Sequence, residues 1–463
     1  MPEIISTIAH FLYTGFHSPS AVHHEGQPSL YDKAIKTDDD WPMGSLVKSA
    51  LHFSMTSLIR RLISSSWPKS LQTDGCPTDS AYYFFTMDTL KSTAKRTLGA
   101  APPTDAYLAW DSPGVEHPPG KDEEGTTRKI ADIMIAMQKH NFDQHRHCFR
   151  ATHVKTQAVV KGNLTVPSDL PEHLKQGLFA HSGTYPVIAR YANEPVFLQP
   201  DTAPGPRGMG LKIFKTPTSE PRIPGHGGNK GLNTQDFLFN NAPMLELTDL
   251  NTTLDIMQTR EKHFDSPTKL TAATLARTDA MKQAAPGMLP NTHIIGMPMF
   301  TQSAFRFGEY YGHMGLFPSA EAMKAREIAE KSVPSDAPPT ILSDWLVEYF
   351  ASHDAVYEFK IQLGTDPVHH PTEDASIVWD EKTAHWQTIG TLTFPKQEGV
   401  MKPERRTAWE EKVRLNPFKG LEAHRPLGSV NRLRGHVYAQ SQRQRAELNA
   451  NENVDITSAD DIP

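Results

Sequence analysis

The sequence predicts an α+β protein in which an antiparallel β-barrel or sandwich is surrounded by α-helices. Three observations predict it. From His153 onward, short segments are rich in β-branched and aromatic residues; Gly, Pro and Asn punctuate them; and longer helical patterns lie between and around them. At 463 residues the chain accommodates one large core with extensions, or about three ordinary domains.

Taken in order, residues 46–67 carry apolar side chains at helical spacing, interrupted by Lys48, Arg60 and Arg61. Those charges make a membrane span costly, so a helix packed on the core is expected, with a helix lying on a lipid surface as the alternative. Residues 79–98 read as another helix. Residues 102–127 are rich in Pro, Gly, Asp and Glu, the composition of a linker, so residues 1–126 read as an N-terminal extension plus linker. Residues 128–141 place Ile130, Ile133, Met134 and Met137 on one helical face. Strand candidates follow at THVKTQAVVKGNLTV, PVIARYA, GMGLKIFKT and DFLFN, and later at residues 303–311, 355–363 and 386–394. Helices are expected at 249–263, 269–284 and 319–331. A last strong helix covers 429–448, and the tail at 449–463 is expected to be flexible and to fray.

Lysine plus arginine total 47 against 53 for aspartate plus glutamate, a net charge of -6. That balance argues against a polyanion-binding surface, so no nucleic-acid partner is expected and any basic pocket is local. Cys76 and Cys148 are the only cysteines, too few for a disulfide framework or a thiolate zinc cage. No Lys or Arg precedes Lys33, so the charged opening of a signal peptide is lacking, and no uncharged run reaches transmembrane length. An intracellular, cytoplasmic location is the expectation.

Arg434 and Tyr438 are four residues apart in NRLRGHVYAQ, so a helix brings guanidinium and phenol onto one face. A neighbouring cation favours the phenolate, and an ionised tyrosine is a hard anionic ligand suited to ferric iron and known as a proximal haem ligand. By spacing alone this pair also fits a surface contact. Upstream, Arg150 stands three residues before His153, which sits at a strand start; Arg190 follows in PVIARYA, Arg207 in GPRGMG, and Asn240 and Asn241 in FLFNNAPM. His145 and His147 beside Cys148 read as polar residues at a helix end rather than a metal cluster. His369 and His370 read as solvated loop residues. GHGGNKG at 225–231 lacks the Lys-Ser/Thr ending of a phosphate loop, and Met281, Met288, Met297 and Met299 read as core or channel lining.

These five blocks, in this order, resemble the catalase superfamily over roughly residues 127–448. The resemblance implies a closed β-barrel and one haem b (heme, iron) per chain. It implies His153 as the distal acid–base group, Asn240 as its distal partner, Tyr438 as the iron ligand and Arg434 as its charge partner. Arg150, Arg190 and Arg445 match positions that bind the haem propionates, and planar guanidinium groups suit such carboxylates. In that setting a neutral imidazole with a pKa near working pH shuttles the peroxide proton. The Asn240 amide orients the peroxide, and the phenolate stabilises oxidised iron. Self-association into a dimer or tetramer is implied by the resemblance as well.

The chain also departs from ordinary catalases. Thr152 stands where valine is usual, in a position to bond the imidazole or the peroxide, and in this it resembles the catalase-related allene oxide synthases. HRPLGSVNRLRGHVY and LNPFKG look like the same smaller branch, which lacks a C-terminal flavodoxin-like domain. Ala192 replaces a serine that bonds the distal histidine, Gly205 replaces a channel aspartate, and Thr253 stands where an aromatic residue near the haem is common, which widens the expected pocket. The expected function is therefore a haem-dependent oxidoreductase of the catalase-related branch acting on an organic or fatty-acid hydroperoxide. The alternatives are a catalase or peroxidase decomposing hydrogen peroxide, a catalase-like oxidative cyclisation in secondary metabolism, and a haem-binding protein without turnover.

Overall fold

The computed structural model describes residues 106–196, 198–225, 232–319, 332–452 and 455–463. The helices expected at 46–67 and 79–98, the lipid-surface alternative and nearly all of the helix expected at 319–331 lie outside the described residues.

Nine strands form one antiparallel sheet: β1 (Lys155–Val166), β2 (Gly183–Asn193), β3 (Arg207–Phe214), β4 (Thr234–Asn240), β5 (Met299–Phe300), β6 (Phe305–Phe307), β7 (Tyr310–Pro318), β8 (Ala355–Leu363) and β9 (Trp386–Phe394). Their order is β5-β4-β3-β2-β1-β9-β8-β7-β6, and β5 pairs with β7 as well as β4. That double pairing closes eight strands into a ring, with β6 attached outside it to β7. The sheet therefore has no free edge along the ring, which makes it a barrel and not a sandwich.

Alternation along the strands builds two cores. Tyr191, Met209, Phe237, Phe239 and Phe359 fill the interior, where Phe237 and Phe359 meet edge to face at 5.7 Å. Val159, Ile188 and Phe214 point outward and are covered by Trp409, Ile456 and Ile462. Each such burial is worth about 1.5–3 kcal/mol. At the short seam between β1 and β9 the strands cross at Gly162, where a Cβ would lie 2.2 Å from the Thr393 carbonyl oxygen. Any side chain there would push the seam apart.

Seven α-helices are described: α1 (Glu123–His145), α2 (Leu250–Lys262), α3 (Pro267–Leu275), α4 (Ala280–Ala284), α5 (Ile341–Ser352), α6 (Pro403–Lys412) and α7 (Ser429–Leu448). Ile130, Met134 and Met137 of α1 pack with Leu250 and Met257 of α2 and Leu433 and Val437 of α7. Asp249 caps α2 by accepting from the Thr252 N–H at 2.8 Å. The Glu116 and Glu373 carboxylates accept from the Gly428 and Ser429 N–H groups, each at 2.8 Å, where the helix dipole of α7 favours negative charge. Arg432, one turn on, pairs with Glu116, Glu123 and Glu373.

These contacts correct the linker expected at 102–127. Tyr107 and Val115 are buried, Glu116 caps α7, and α1 already starts at Glu123. The tail does not fray: Ile462 is buried and Asp455 pairs with Lys419. The strand expected at 303–311 is instead β6 followed by β7, and the helix expected at 269–284 divides into α3 and α4. His370 is buried against Trp379, and Met281 and Met288 are exposed while Met297 and Met299 lie in the core. Among the described residues, no helix is long and apolar enough to cross a membrane.

Candidate functional site

Along the strand ladder Ala192 pairs with Gly208, Gly208 with Asn240, and Asn240 with Phe300. This line crosses β2, β3, β4 and β5 at one end of the barrel. Tyr191, Met209 and Phe239 alternate with the first three of these residues and fill the interior, so Ala192, Gly208 and Asn240 face outward. Arg190 shares that outer face. Thr156 joins it because a β-bulge between Thr156 and Ala158 resets the alternation of β1. The site therefore lies outside the barrel wall.

His153 precedes β1 instead of opening it, because its φ of 54° is left-handed and cannot continue a strand. Its N–H donates to the Glu194 carbonyl at 2.7 Å, and its own carbonyl accepts from Arg190 Nη2 at 2.6 Å. The ring rests on Gly208, where a Cβ would lie 2.4 Å from Cε1. Burial, then Arg190, Arg434 and Arg150, push its pKa down to about 3. The imidazole is thus neutral but a far weaker base than the sequence leads one to expect. Because the atom in the way is the movable end of a side chain, Gly208→Ala is expected to fold normally but to displace the ring. Any activity that depends on the imidazole should then fall at least ~100-fold with the circular dichroism spectrum unchanged, and an unaltered activity would show that the ring position is immaterial.

Asn240 is fixed at both ends of its amide. Oδ1 accepts from the Ala242 N–H at 3.0 Å, and Nδ2 donates to Glu194 Oε2 at 2.9 Å. Glu194 follows β2 directly and was not read from the sequence as a site residue. Burial, then repulsion from Glu246, push its carboxyl up to about 7, against the pull of Arg260, Asn240 and Arg434. Glu246 is itself buried and lies 3.6 Å from Arg260 of α2. Asn241 turns away from the rim, its Oδ1 accepting from the Arg207 N–H at 2.8 Å, while the wholly buried Arg207 side chain donates to Asn291 at 2.6 Å.

Arg434 and Tyr438 lie one turn apart on α7, as their spacing predicts. Arg434 Nη1 donates to Asn431 Oδ1 at 3.0 Å. Burial pushes the Tyr438 phenol up; Arg434 and Arg150 pull it back and Glu194 adds to the rise, so in the protein alone the cation does not prevail. The charges of Arg434 and Arg150 act on both His153 and Tyr438, which puts the two in one electrostatic enclosure. His153, Glu194, Arg434 and Tyr438 are each surrounded by protein yet keep accessible surface. Residues that line an internal cavity behave in this way.

Arg150, Arg190 and Arg445 converge, and a carboxylate that the sequence reading missed stands among them. Glu410 of α6 pairs with Arg190 Nε at 2.9 Å and Arg150 Nε at 3.2 Å, and accepts from the Thr156 hydroxyl. Arg150 and Arg445 also donate to the Val413 carbonyl, at 3.1 and 3.3 Å. Burial, then mutual repulsion with Arg150, push Arg445 down to about 9; for Arg190 burial comes first and brings it to about 10. Glu411 also acts on Arg445, so three guanidinium groups against two carboxylates leave a surplus of one positive charge. Such a cluster suits an anionic partner, and a haem propionate is of the chemistry that guanidinium groups bind. With an enclosed tyrosine nearby, the residues present fit that group.

The departures resolve individually. Thr152 makes no side-chain hydrogen bond among the described residues, so the expected bond to His153 is not formed. Ala192 is buried and leaves Gly208 to seat the imidazole. A Cβ at Gly205 would touch only Gln199. Thr253 is almost wholly buried, with its hydroxyl donating to the Asp249 carbonyl at 2.7 Å, so it widens nothing.

No family model and no curated protein matches the chain. Among solved structures, a fungal catalase aligns at 17% identity with a TM-score of 0.50, over 67% of this chain and 62% of that one. Catalase A from Saccharomyces cerevisiae aligns at 14% identity with a TM-score of 0.46, over 68% of this chain and 65% of that one. The chain therefore spans less than two thirds of either catalase. The fungal likeness establishes the fold, a catalase-type barrel with surrounding helices, and its chemistry is a separate question.

Proposed function

We propose that the chain is a haem-dependent oxidoreductase that acts on a peroxide, with an organic or fatty-acid hydroperoxide as its favoured substrate. The observation that carries the reading is the excess of Arg150, Arg190 and Arg445 over the carboxylates of Glu410 and Glu411, beside an enclosed Tyr438 one helical turn from Arg434. In this reading Tyr438 is the iron ligand, Arg434 holds its phenolate, and the arginine cluster holds the propionates of haem b. Haem supplies the redox chemistry of O–O cleavage when bound. The chain supplies position and protons. Asn240 has a second amide N–H besides the one bonded to Glu194, and that N–H orients the substrate oxygen. His153, seated on Gly208, presents a neutral imidazole that accepts a hydrogen bond and excludes water from the ring's side of the site.

Preference for an organic hydroperoxide over hydrogen peroxide is supported by Ala192, which offers no hydroxyl to steady the imidazole, and by Thr152 before it. Membership of the smaller catalase-related branch and self-association belong to the same reading. Reconstitution with ferric haem is expected to give one haem per chain with a Soret band. The loaded protein should consume the diene absorbance of a fatty-acid hydroperoxide while releasing little oxygen from hydrogen peroxide. Vigorous oxygen release with an inert lipid hydroperoxide would reject the substrate preference, and a protein that stays colourless would reject the haem.

A further inference from the structure

We propose that Glu194 is the proton acceptor of this site, taking the proton that a peroxide gives up on entry and returning it to the oxygen that leaves. This rests on the haem reading above. Its backbone is held on both sides, the carbonyl by the His153 N–H at 2.7 Å and its own N–H by the Pro206 carbonyl at 3.1 Å. Oε2 accepts from Asn240 Nδ2 at 2.9 Å, the same amide that faces the substrate. Oε1 makes no hydrogen bond among the described residues, and Glu194 keeps accessible surface inside an enclosed site. An open lone pair beside the orienting amide is where an incoming O–H can donate.

His153 is poorly suited to hold that proton. Three cations act on it, and burial opposes its charged form. For Glu194 burial, then Glu246, disfavour the ionised form, while Arg260 of α2, Asn240 and Arg434 of α7 favour it, with Tyr438 of α7 and His153 as further titratable neighbours. The balance pushes its carboxyl up to about 7, close to the pH at which general bases are most effective. In the step, the O–H bond of ROOH breaks and its proton moves to the Glu194 carboxylate. When the O–O bond breaks, the same proton is returned to the oxygen carried by R, which leaves as ROH; bound haem would supply the two electrons and take up the other oxygen atom.

Hydrogen cyanide tests this without turnover, because it binds ferric haem as the anion and leaves its proton on a nearby base. In the haem-loaded wild type, cyanide affinity read from the Soret shift should be flat above pH 7 and fall about tenfold per pH unit below it. Glu194→Gln keeps an acceptor for Asn240 but cannot titrate. It should lose the break near pH 7 and bind cyanide at least tenfold more weakly at pH 8, whereas Glu194→Asp should retain a break. An unchanged break and affinity in Glu194→Gln overturns the proposal.

A second readout uses the haem-free chain. A carboxyl whose folded pKa is raised stabilises the fold below its unfolded value near 4.3 and loses that contribution as pH rises through about 7. Glu194→Gln should therefore melt above the wild type at pH 8, with the difference closing at pH 5. That thermal difference together with a persisting cyanide break shows that Glu194 titrates without accepting the proton, and overturns the role. Absence of a Soret band after haem addition rejects the haem reading and the role together.

Discussion

Replacing Tyr438 with phenylalanine is expected to leave a folded chain that no longer retains haem. The phenol makes no hydrogen bond among the described residues and burial disfavours its charge, so removing its oxygen should cost under about 1 kcal/mol. If Tyr438 holds the iron as proposed, haem content, measured by alkaline pyridine extraction, should fall from one per chain to less than about a tenth. His153→Ala should do the opposite, keeping haem and losing at least ~100-fold in hydroperoxide cleavage, because the imidazole that accepts a hydrogen bond and excludes water from its side of the site is gone. A Tyr438→Phe protein with a full haem complement would reject Tyr438 as the ligand, and unchanged cleavage in His153→Ala would remove the imidazole from the chemistry.

Acid should weaken the haem-free chain through Glu410. Burial pushes its carboxyl up, but Arg190 and Arg150, with the Thr156 hydroxyl and Arg445, outweigh burial and bring it down to about 2. A depressed folded pKa stabilises the protein above the unfolded value near 4.3, and the contribution is lost as pH falls through about 2. With the Glu410 side chain 21% exposed, the stake is on the order of 3 kcal/mol. Arg190→Met breaks the pair and leaves the Glu410 carboxylate short of its nearest charge. With Arg150 and Arg445 still facing Glu410, it should cost about 1–3 kcal/mol at pH 7 and lessen the loss between pH 5 and pH 3. Urea unfolding at pH 7, 5 and 3 measures both effects. Parallel curves for the two proteins would show that the pair does not govern acid stability.

Much of the architecture was legible because local pattern and tertiary packing agree. The helix carrying Arg434 and Tyr438 and the strands at 355–363 and 386–394 have the expected bounds. Where they disagree, the reading failed. YYGHMGLFP in β7 contains two glycines and a histidine, which weaken a strand pattern, yet His313 is buried and stacks on Trp379 at 4.1 Å. The tail looks frayed because its composition is acidic, and two isoleucines anchor it against α6. At the site, His153, Asn240, Tyr438 and the arginines were legible as ordered blocks. Glu194 and Glu410 were not, since a single carboxylate leaves no spacing to recognise and each owes its importance to neighbours from distant strands and helices. The net effect on Tyr438 was invisible too, because burial is not written in a four-residue spacing.

The left-handed backbone at His153 sets stability against chemistry at one residue. A side chain bearing a Cβ is strained there by about 1 kcal/mol or more, and glycine is not. Relief of that strain alone would favour glycine at position 153, at the expense of the role proposed for its imidazole. Thermostabilising this scaffold therefore means leaving that strained position untouched and looking for gains at the other left-handed residues, such as Lys215 and Gln302.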